Sequence, residues 1–300
     1  MKIITSTGFK IKYDDDNSIR KFDYDFDNPL GVAAGLDKNG DYIDSLASLG
    51  FGFVEIGTVT PRPQYGNQKP RLYRDKQSKA IINRMGFNNK GVDYLVKKLI
   101  KRKSEIPVGV SIGKNFDTPN SLAQNDYLSC LEKVFDLADY IAVNVSSPNT
   151  QDLRKLEIKD ELTNLLKSLK DRQLELSKEF GYRPLILKIS PDNDEKGLED
   201  IFEVLLSSSI DGLICTNTSI NHTHVSGSGG LSGKPLMGPS TEILRIARKS
   251  LGDEFPIIAS GGVMSKEDYQ QKIDAGADLV QIYTGFIYEG PKLIDDILNK

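Results

Sequence analysis

Ile141-Ala-Val-Asn-Val-Ser-Ser-Pro-Asn-Thr150 opens on apolar residues and closes on small polar ones. A short run rich in Val, Ile and Leu, without strict alternation, reads as a strand buried on both faces, as in a parallel sheet. Working outward from Ile141–Val145, seven more such runs appear: Leu30–Ala34, Phe53–Gly57, Val108–Ile112, Leu185–Ile189, Gly212–Thr216, Pro256–Ser260 and Leu279–Tyr283. They start about 36 residues apart, a comfortable length for a strand, a helix and two loops. The segments between them carry helical period. Val92, Leu95, Val96 and Leu99 fall on one side of Asn88–Lys103, Leu162, Leu165, Leu166 and Leu169 on one side of Lys159–Lys178, and Ile243, Leu244, Ile246 and Ala247 on one side of Ser240–Ser250. Strands and helices alternating in one unbroken series predict an α/β fold, a single (β/α)8 TIM barrel. An open doubly wound sheet also alternates, but eight repeats without a shift in composition favour closure.

Residues 1–27 stand outside the series as a lead-in, and 28–300 form the barrel. Lys2–Tyr13, with Ser6-Thr7-Gly8 in its middle, reads as a short β-hairpin capping the barrel's N-terminal end. Two connections are too long to be turns. Thr58 to Phe87 carries Pro61, Pro63, Gly66 and Pro70 and reads as an irregular excursion; Asn217 to Pro239 carries Gly229, Gly230, Gly233 and Gly238. Both follow strands, so both belong to the C-terminal face, where barrel active sites are built.

Composition narrows the chemistry. The 300 residues hold 39 Lys and Arg against 42 Asp and Glu, a net charge of −3, which gives no global attraction for nucleic acid or an anionic membrane surface. Any bound anion needs a local site. Cys130 and Cys215 are too few for an iron–sulfur cluster and read as reduced, packed thiols. His222 and His224 sit in a loop and read as surface residues, so no metal site is expected. Met1–Ser6 lacks the apolar stretch of a signal peptide, and no run approaches 18 apolar residues, so the expected location is cytoplasmic.

The strand ends carry the polar residues. Ala34-Gly35-Leu36-Asp37-Lys38 follows the first run, Lys188 lies in the fifth, Thr216-Asn217-Thr218 ends the sixth, Gly261-Gly262 follows the seventh, and Tyr283-Thr284-Gly285 ends the eighth. Glycines after strand seven with Thr284 after strand eight match the place where barrels cradle a phosphate on backbone amides. A turn explains a Gly-Gly pair equally well. Asn83, Asn144, Asn149 and Asn217 fall on loops of that same face, and an amide suits a flat ligand with alternating C=O and N–H edges. Each one alone is a common turn former. Lys38 and Lys188 add positive charge for a carboxylate or an electron-rich ring.

Seven stretches together resemble the dihydroorotate dehydrogenases, specifically the class 2, quinone-linked type. They are NPLGVAAGLDKNG (Asn28–Gly40), GTVTPRPQ (Gly57–Gln64), KPRLYR (Lys69–Arg74), INRMGFNN (Ile82–Asn89), NVSSPNT (Asn144–Thr150), GGLSGKPL (Gly229–Leu236) and QIYTGF (Gln281–Phe286). The resemblance spans Asn28 to Lys300. It implies a barrel that binds FMN and oxidises dihydroorotate to orotate in pyrimidine synthesis. Carried over by position, FMN contacts Ala34, Gly35, Thr58, Asn144, Lys188, Thr216, Gly233, Gly262, Tyr283 and Thr284, with Gly262 and Thr284 at the phosphate end. Orotate is held by Lys38, Asn83, Asn144, Asn149, Asn217 and Thr218, with Arg84 and the backbone of Met85, Gly86 and Phe87. The base of this class falls on Ser147, beside Ser146. Class 1 enzymes use a cysteine there, and this loop has none. A water or Thr150 is expected to relay the serine's proton.

Two departures accompany the resemblance. Ser111 stands where the family usually has an asparagine beside the flavin, so FMN binding is expected to survive with weaker affinity. Class 2 enzymes also carry an N-terminal helical hairpin that forms a quinone tunnel at the membrane, and residues 1–27 show no amphipathic helix pair. The expectation is either a truncated form or an enzyme that meets its acceptor differently. Arg74 and Tyr283, which line the family's quinone passage, are both present. The implied partners are dihydroorotate or orotate and a quinone or other electron acceptor, with peripheral contact at the inner face of the cell membrane. The alternatives are a soluble enzyme using fumarate or another non-quinone acceptor, and a flavin-binding module that has lost catalysis.

Overall fold

Leu185–Ile189 shows why such runs become strands buried on both faces. Leu185, Leu187 and Ile189 pack outward into the layer beneath the helices, while Ile186 joins a separate cluster with Phe53, Tyr140, Ile214, Ile258 and Leu279 inside the barrel. A strand enclosed on both sides has no polar face to show, and all five residues are buried. A computed structural model describes residues 11–13, 17–222 and 228–299.

In chain order the strands are β1 (Ile19–Lys21), β2 (Tyr24–Phe26), β3 (Leu30–Val32), β4 (Phe53–Val59), β5 (Leu72–Asp75), β6 (Ala80–Asn83), β7 (Val108–Ile112), β8 (Tyr140–Asn144), β9 (Leu185–Ile189), β10 (Gly212–Cys215), β11 (Gly230–Gly233), β12 (Ile257–Ser260) and β13 (Leu279–Ile282). The helices are α1 (Ile43–Ala47), α2 (Val92–Leu99), α3 (Ala123–Val134), α4 (Lys159–Phe180), α5 (Glu195–Ser207), α6 (Met237–Leu251), α7 (Lys266–Asp274), α8 (Thr284–Glu289) and α9 (Lys292–Leu298). Strands β3, β4, β7, β8, β9, β10, β12 and β13 are parallel neighbours in that order and close on themselves. Each overlaps one of the eight expected runs, so the (β/α)8 barrel stands.

An N-terminal hairpin is present, formed by β1 and β2 in antiparallel register, with Ile19, Phe22 and Tyr24 packed against the inner cluster. It lies later than Lys2–Tyr13. Residues 1–10 are outside the described residues, and Ile11–Tyr13 form no strand. The two long excursions are less irregular than expected. β5 and β6 from the first pair antiparallel with each other, and β11 from the second joins β6, Gly230 lying opposite Asn83. The partners are about 150 residues apart in sequence and individually short, so no local pattern announces the sheet. It stands on the C-terminal face and forms one wall of the site. No described helix is long and apolar enough to cross a membrane.

Candidate active site

Polar residues at inward positions near the C-terminal ends of the strands meet above the apolar inner cluster. They surround a cavity of about 950 Å³ when the space open to solvent at its mouth is included. Its walls come from the ends of β3, β4, β8, β9, β10, β12 and β13 and from the added β5–β6–β11 sheet.

The four asparagines arrive as two hydrogen-bonded pairs. Asn149 Nδ2 donates to Asn83 Oδ1 at 3.0 Å, tying the loop after β8 to the end of β6. Asn217 Nδ2 donates to Asn144 Oδ1 at 3.1 Å, tying β10 to β8. Asn144 Nδ2 in turn donates to Thr58 Oγ1 at 2.8 Å. These contacts fix the amide planes; Asn83 Nδ2 also donates to Gly230 O at 3.2 Å, and the second amide hydrogens of Asn83 and Asn149 are left for a ligand.

Ser146 and Ser147 are adjacent in sequence and opposite in use. Ser146 is fully buried; its hydroxyl donates to Lys188 O at 2.7 Å and accepts from Asn217 Nδ2. Ser147 lines the cavity and, among the described residues, accepts only the Asn149 backbone N–H, at 3.3 Å. Thr150 Oγ1 is buried close by in the chain with no hydrogen-bond partner among the described residues. Arg154 braces this loop: its Nε donates to Ser146 O, another nitrogen donates to Thr218 O at 2.8 Å, and a third pairs with Asp192 at 2.7 Å.

Lys38 stands beside Gly35 on the cavity wall, with no hydrogen bond or ion pair among the described residues. Burial, then Arg71 and Lys188 nearby, push its ammonium down to about 8. At the far side three backbone segments converge. Gly262 has φ +88°, and a Cβ there would lie 2.2 Å from Met237 Cα at the start of α6. Only glycine permits that approach. Gly233 faces Thr284 at the start of α8, and Thr284 Oγ1 shares a hydrogen bond with Ser232.

With this arrangement in hand, comparison with known proteins is decisive. The model of the family described as dihydroorotate dehydrogenase matches residues 18–300. This chain belongs to the dihydroorotate dehydrogenase family. It is 55% identical over 281 residues to the dihydroorotate dehydrogenase (quinone) of Shewanella sp. (strain ANA-3), covering 91% of this chain and 83% of the relative. It is 54% identical over 282 residues to the dihydroorotate dehydrogenase (quinone) of Acinetobacter baylyi, covering 92% and 84%. The crystal structure of ligand-free DHODH from Eimeria tenella superposes with a TM-score of 0.91 at 35% identity, covering 99% of this chain and 92% of that one. The resemblance to the class 2, quinone-type dehydrogenases is thereby borne out.

Most positions singled out in the sequence converge on the cavity. Lys38, Asn83, Met85, Gly86, Phe87, Asn144, Ser147, Asn149, Asn217 and Thr218 line it, as do Ala34, Gly35, Thr58, Lys188, Thr216, Gly233, Gly262, Tyr283 and Thr284. Three do not. Ser111 is fully buried behind Thr58, its hydroxyl 2.8 Å from Thr58 Oγ1, so it reaches the cavity only through that residue. Arg84 turns outward to Tyr73 and lines a shallower depression with Asn67, Phe116 and His222. Arg74 is exposed on β5 with its guanidinium over the Tyr288 ring.

Among the lining or supporting residues to which the sequence assigns no role are Gln281 in the cavity wall and Glu55 just beneath it. Their signal was there, as single polar residues inside the runs Leu279–Tyr283 and Phe53–Gly57.

Proposed function

We propose that this chain oxidises (S)-dihydroorotate to orotate, a step of de novo pyrimidine biosynthesis, with FMN in the cavity and a quinone as the final electron acceptor. The observation that carries the reading is Lys38. It is a cation with no ion-pair partner among the described residues, on the wall of a cavity whose amides are already paired, which makes it a seat for a ligand carboxylate. A charge-assisted hydrogen bond there contributes about 1.5–3 kcal/mol. The unused amide hydrogens of Asn83 and Asn149 suit the ring carbonyls of the same ligand.

Ser147 takes the proton from C5. The Asn149 N–H donating to its Oγ stabilises negative charge on that oxygen, which lowers its proton affinity. Thr150 Oγ1 is buried without a hydrogen-bond partner among the described residues, Ser147 included, so a relay through it requires a water between the two hydroxyls. Ser146 has its hydroxyl committed to the Lys188 carbonyl and serves instead to hold the loop.

The residues present fit FMN. Gly233, Gly262 and Thr284 offer a side-chain-poor backbone cradle for its phosphate, while Lys188, Thr58 and Asn144 offer a cation and fixed polar groups for its ring. When bound, FMN supplies the acceptor for the hydride leaving C6. Ser111, whose hydroxyl lies 2.8 Å from Thr58 Oγ1, acts on the cavity through that residue.

The test is direct. The purified protein should be yellow and should bleach when dihydroorotate is added without oxygen. Turnover should then be faster with ubiquinone or menaquinone than with fumarate. A colourless protein, or one that stays yellow with substrate, overturns the reading, and fumarate as the preferred oxidant overturns the quinone assignment.

A further inference from the structure

Beneath the cavity floor lies an ionisable group that the proposed chemistry does not use. Glu55 is fully buried on β4, pointing into the barrel one layer below Lys188 and Gln281. Everything around its carboxylate is a donor. Gln281 Nε2 donates to Oε2 at 2.7 Å and the Tyr140 hydroxyl donates to the same oxygen at 3.1 Å. Tyr140 reaches it because Gly109 on β7 has no side chain; a Cβ there would stand 2.5 Å from the tyrosine hydroxyl. Oε1 has no hydrogen bond among the described residues, and its neighbour is the Lys188 ammonium at 3.8 Å. A buried charge is stable only while it is paired, and the two donors and the Lys188 ammonium are the groups that face this carboxylate. Lys188 is therefore shared: its ammonium faces Glu55 below and the cavity above.

We propose that Glu55 is a positioning residue that holds Lys188 and opposes its charge, setting how readily a flavin in the cavity takes up electrons. The proposal rests on the reading that the cavity binds FMN. Reduction adds negative charge to the ring, so an unopposed ammonium at the wall favours the reduced form. Glu55 moderates that preference, and electrons pass on to the acceptor more easily as a result. Tyr140 and Gln281 tune the effect by drawing part of the carboxylate's charge to themselves.

The experiment is a dye-equilibrated redox titration of the FMN-loaded native chain and two variants. Glu55→Gln keeps shape and removes charge. It should shift the equilibrium about tenfold toward reduced flavin, which is about 30 mV upward for a two-electron couple. Tyr140→Phe leaves the carboxylate with one donor fewer and should move the potential the other way. Opposite signs are the distinguishing result, since damage to packing alone does not reverse with the charge removed or exposed. Potentials unchanged in both variants, or moved in the same direction, overturn the proposal while leaving the function intact. If Glu55→Gln does not load flavin, Tyr140→Phe decides by itself, with a downward shift supporting and no shift overturning. A native chain that binds no flavin overturns the functional reading and this proposal together.

Discussion

Lys38 is the residue on which substrate affinity should turn, because its charge is unpaired and its proton is loosely held. Burial brings the ammonium down to about 8, so it is charged below that pH and neutral above it. Affinity for a carboxylate ligand is then fully present at pH 6–7 and lost as pH rises through 8, with the bound anion drawing the transition upward. Orotate titrated by fluorescence or calorimetry from pH 6 to 9.5 should show that loss, and Lys38→Met should weaken binding about 10- to 150-fold at neutral pH and flatten the profile. Ser147 controls rate rather than affinity. Ser147→Ala should slow flavin reduction by about 10²–10⁴-fold in rapid mixing, the span of a positioned general base, while orotate still binds. Ser146→Ala should instead disturb both, since its hydroxyl ties Lys188 and Asn217 together. The sequence named both serines, and only the hydrogen bonds separate their uses.

Among the elements, the turn Leu153–Glu157 does more than connect β8 to α4. Arg154 pulls the Ser146 carbonyl and the Thr218 carbonyl onto one guanidinium, and Glu157 caps the end of β9 by accepting from the Ser190 N–H and from Asn193. The loop bearing the base and the loop bearing Asn217 are thus held in one frame. Glu157 carries a measurable signature. Burial raises its carboxyl to about 7 against an ordinary value of 4.5, so folding favours the protonated form. That contribution is complete below pH 4.5 and disappears as pH rises through 7, a loss of at most about 3 kcal/mol. Glu157→Gln keeps an acceptor for Ser190 and cannot ionise. Thermal melts at pH 5 and pH 8 should show a smaller fall in Tm for the variant than for the native chain; equal falls would mean the carboxyl stays ionised in the fold. None of this was legible beforehand. An acidic residue beside Ile158 and Lys159 reads as the first turn of an exposed helix, and its burial is made by β9, which the chain reaches some 30 residues later.

At the scale of the whole molecule, stability and chemistry sit at opposite ends of the barrel. The inner cluster of Phe26, Phe53, Tyr140, Ile186, Ile214, Ile258 and Leu279 fills the lower barrel and is closed by the β1–β2 hairpin, with Phe26 and Phe53 edge to face. Phe53 fills the space that Gly31 leaves on the neighbouring strand, where a Cβ would stand 2.4 Å from the ring. Phe53→Ala should lower unfolding stability by about 3–5 kcal/mol in denaturant titrations, yet leave orotate affinity within a few-fold of native. A large loss of affinity at retained fold would show the two ends to be coupled. The eight runs and their spacing sufficed to predict the barrel, because a strand enclosed by helices and barrel interior must be apolar throughout, and that constraint is written residue by residue. The motifs likewise pointed to the cavity wall, since Lys38, Ser147, Asn149 and Asn217 lie on loops, and Asn144 at a strand end, whose place follows from strand order. Other features depended on contacts between distant segments: the pairing of β6 with β11, the two asparagine pairs, the retreat of Ser111 behind Thr58, and the Glu55–Lys188 couple. Each joins side chains or strands from different βα units, and their meeting is set by closure of the barrel, which no local stretch of the chain encodes.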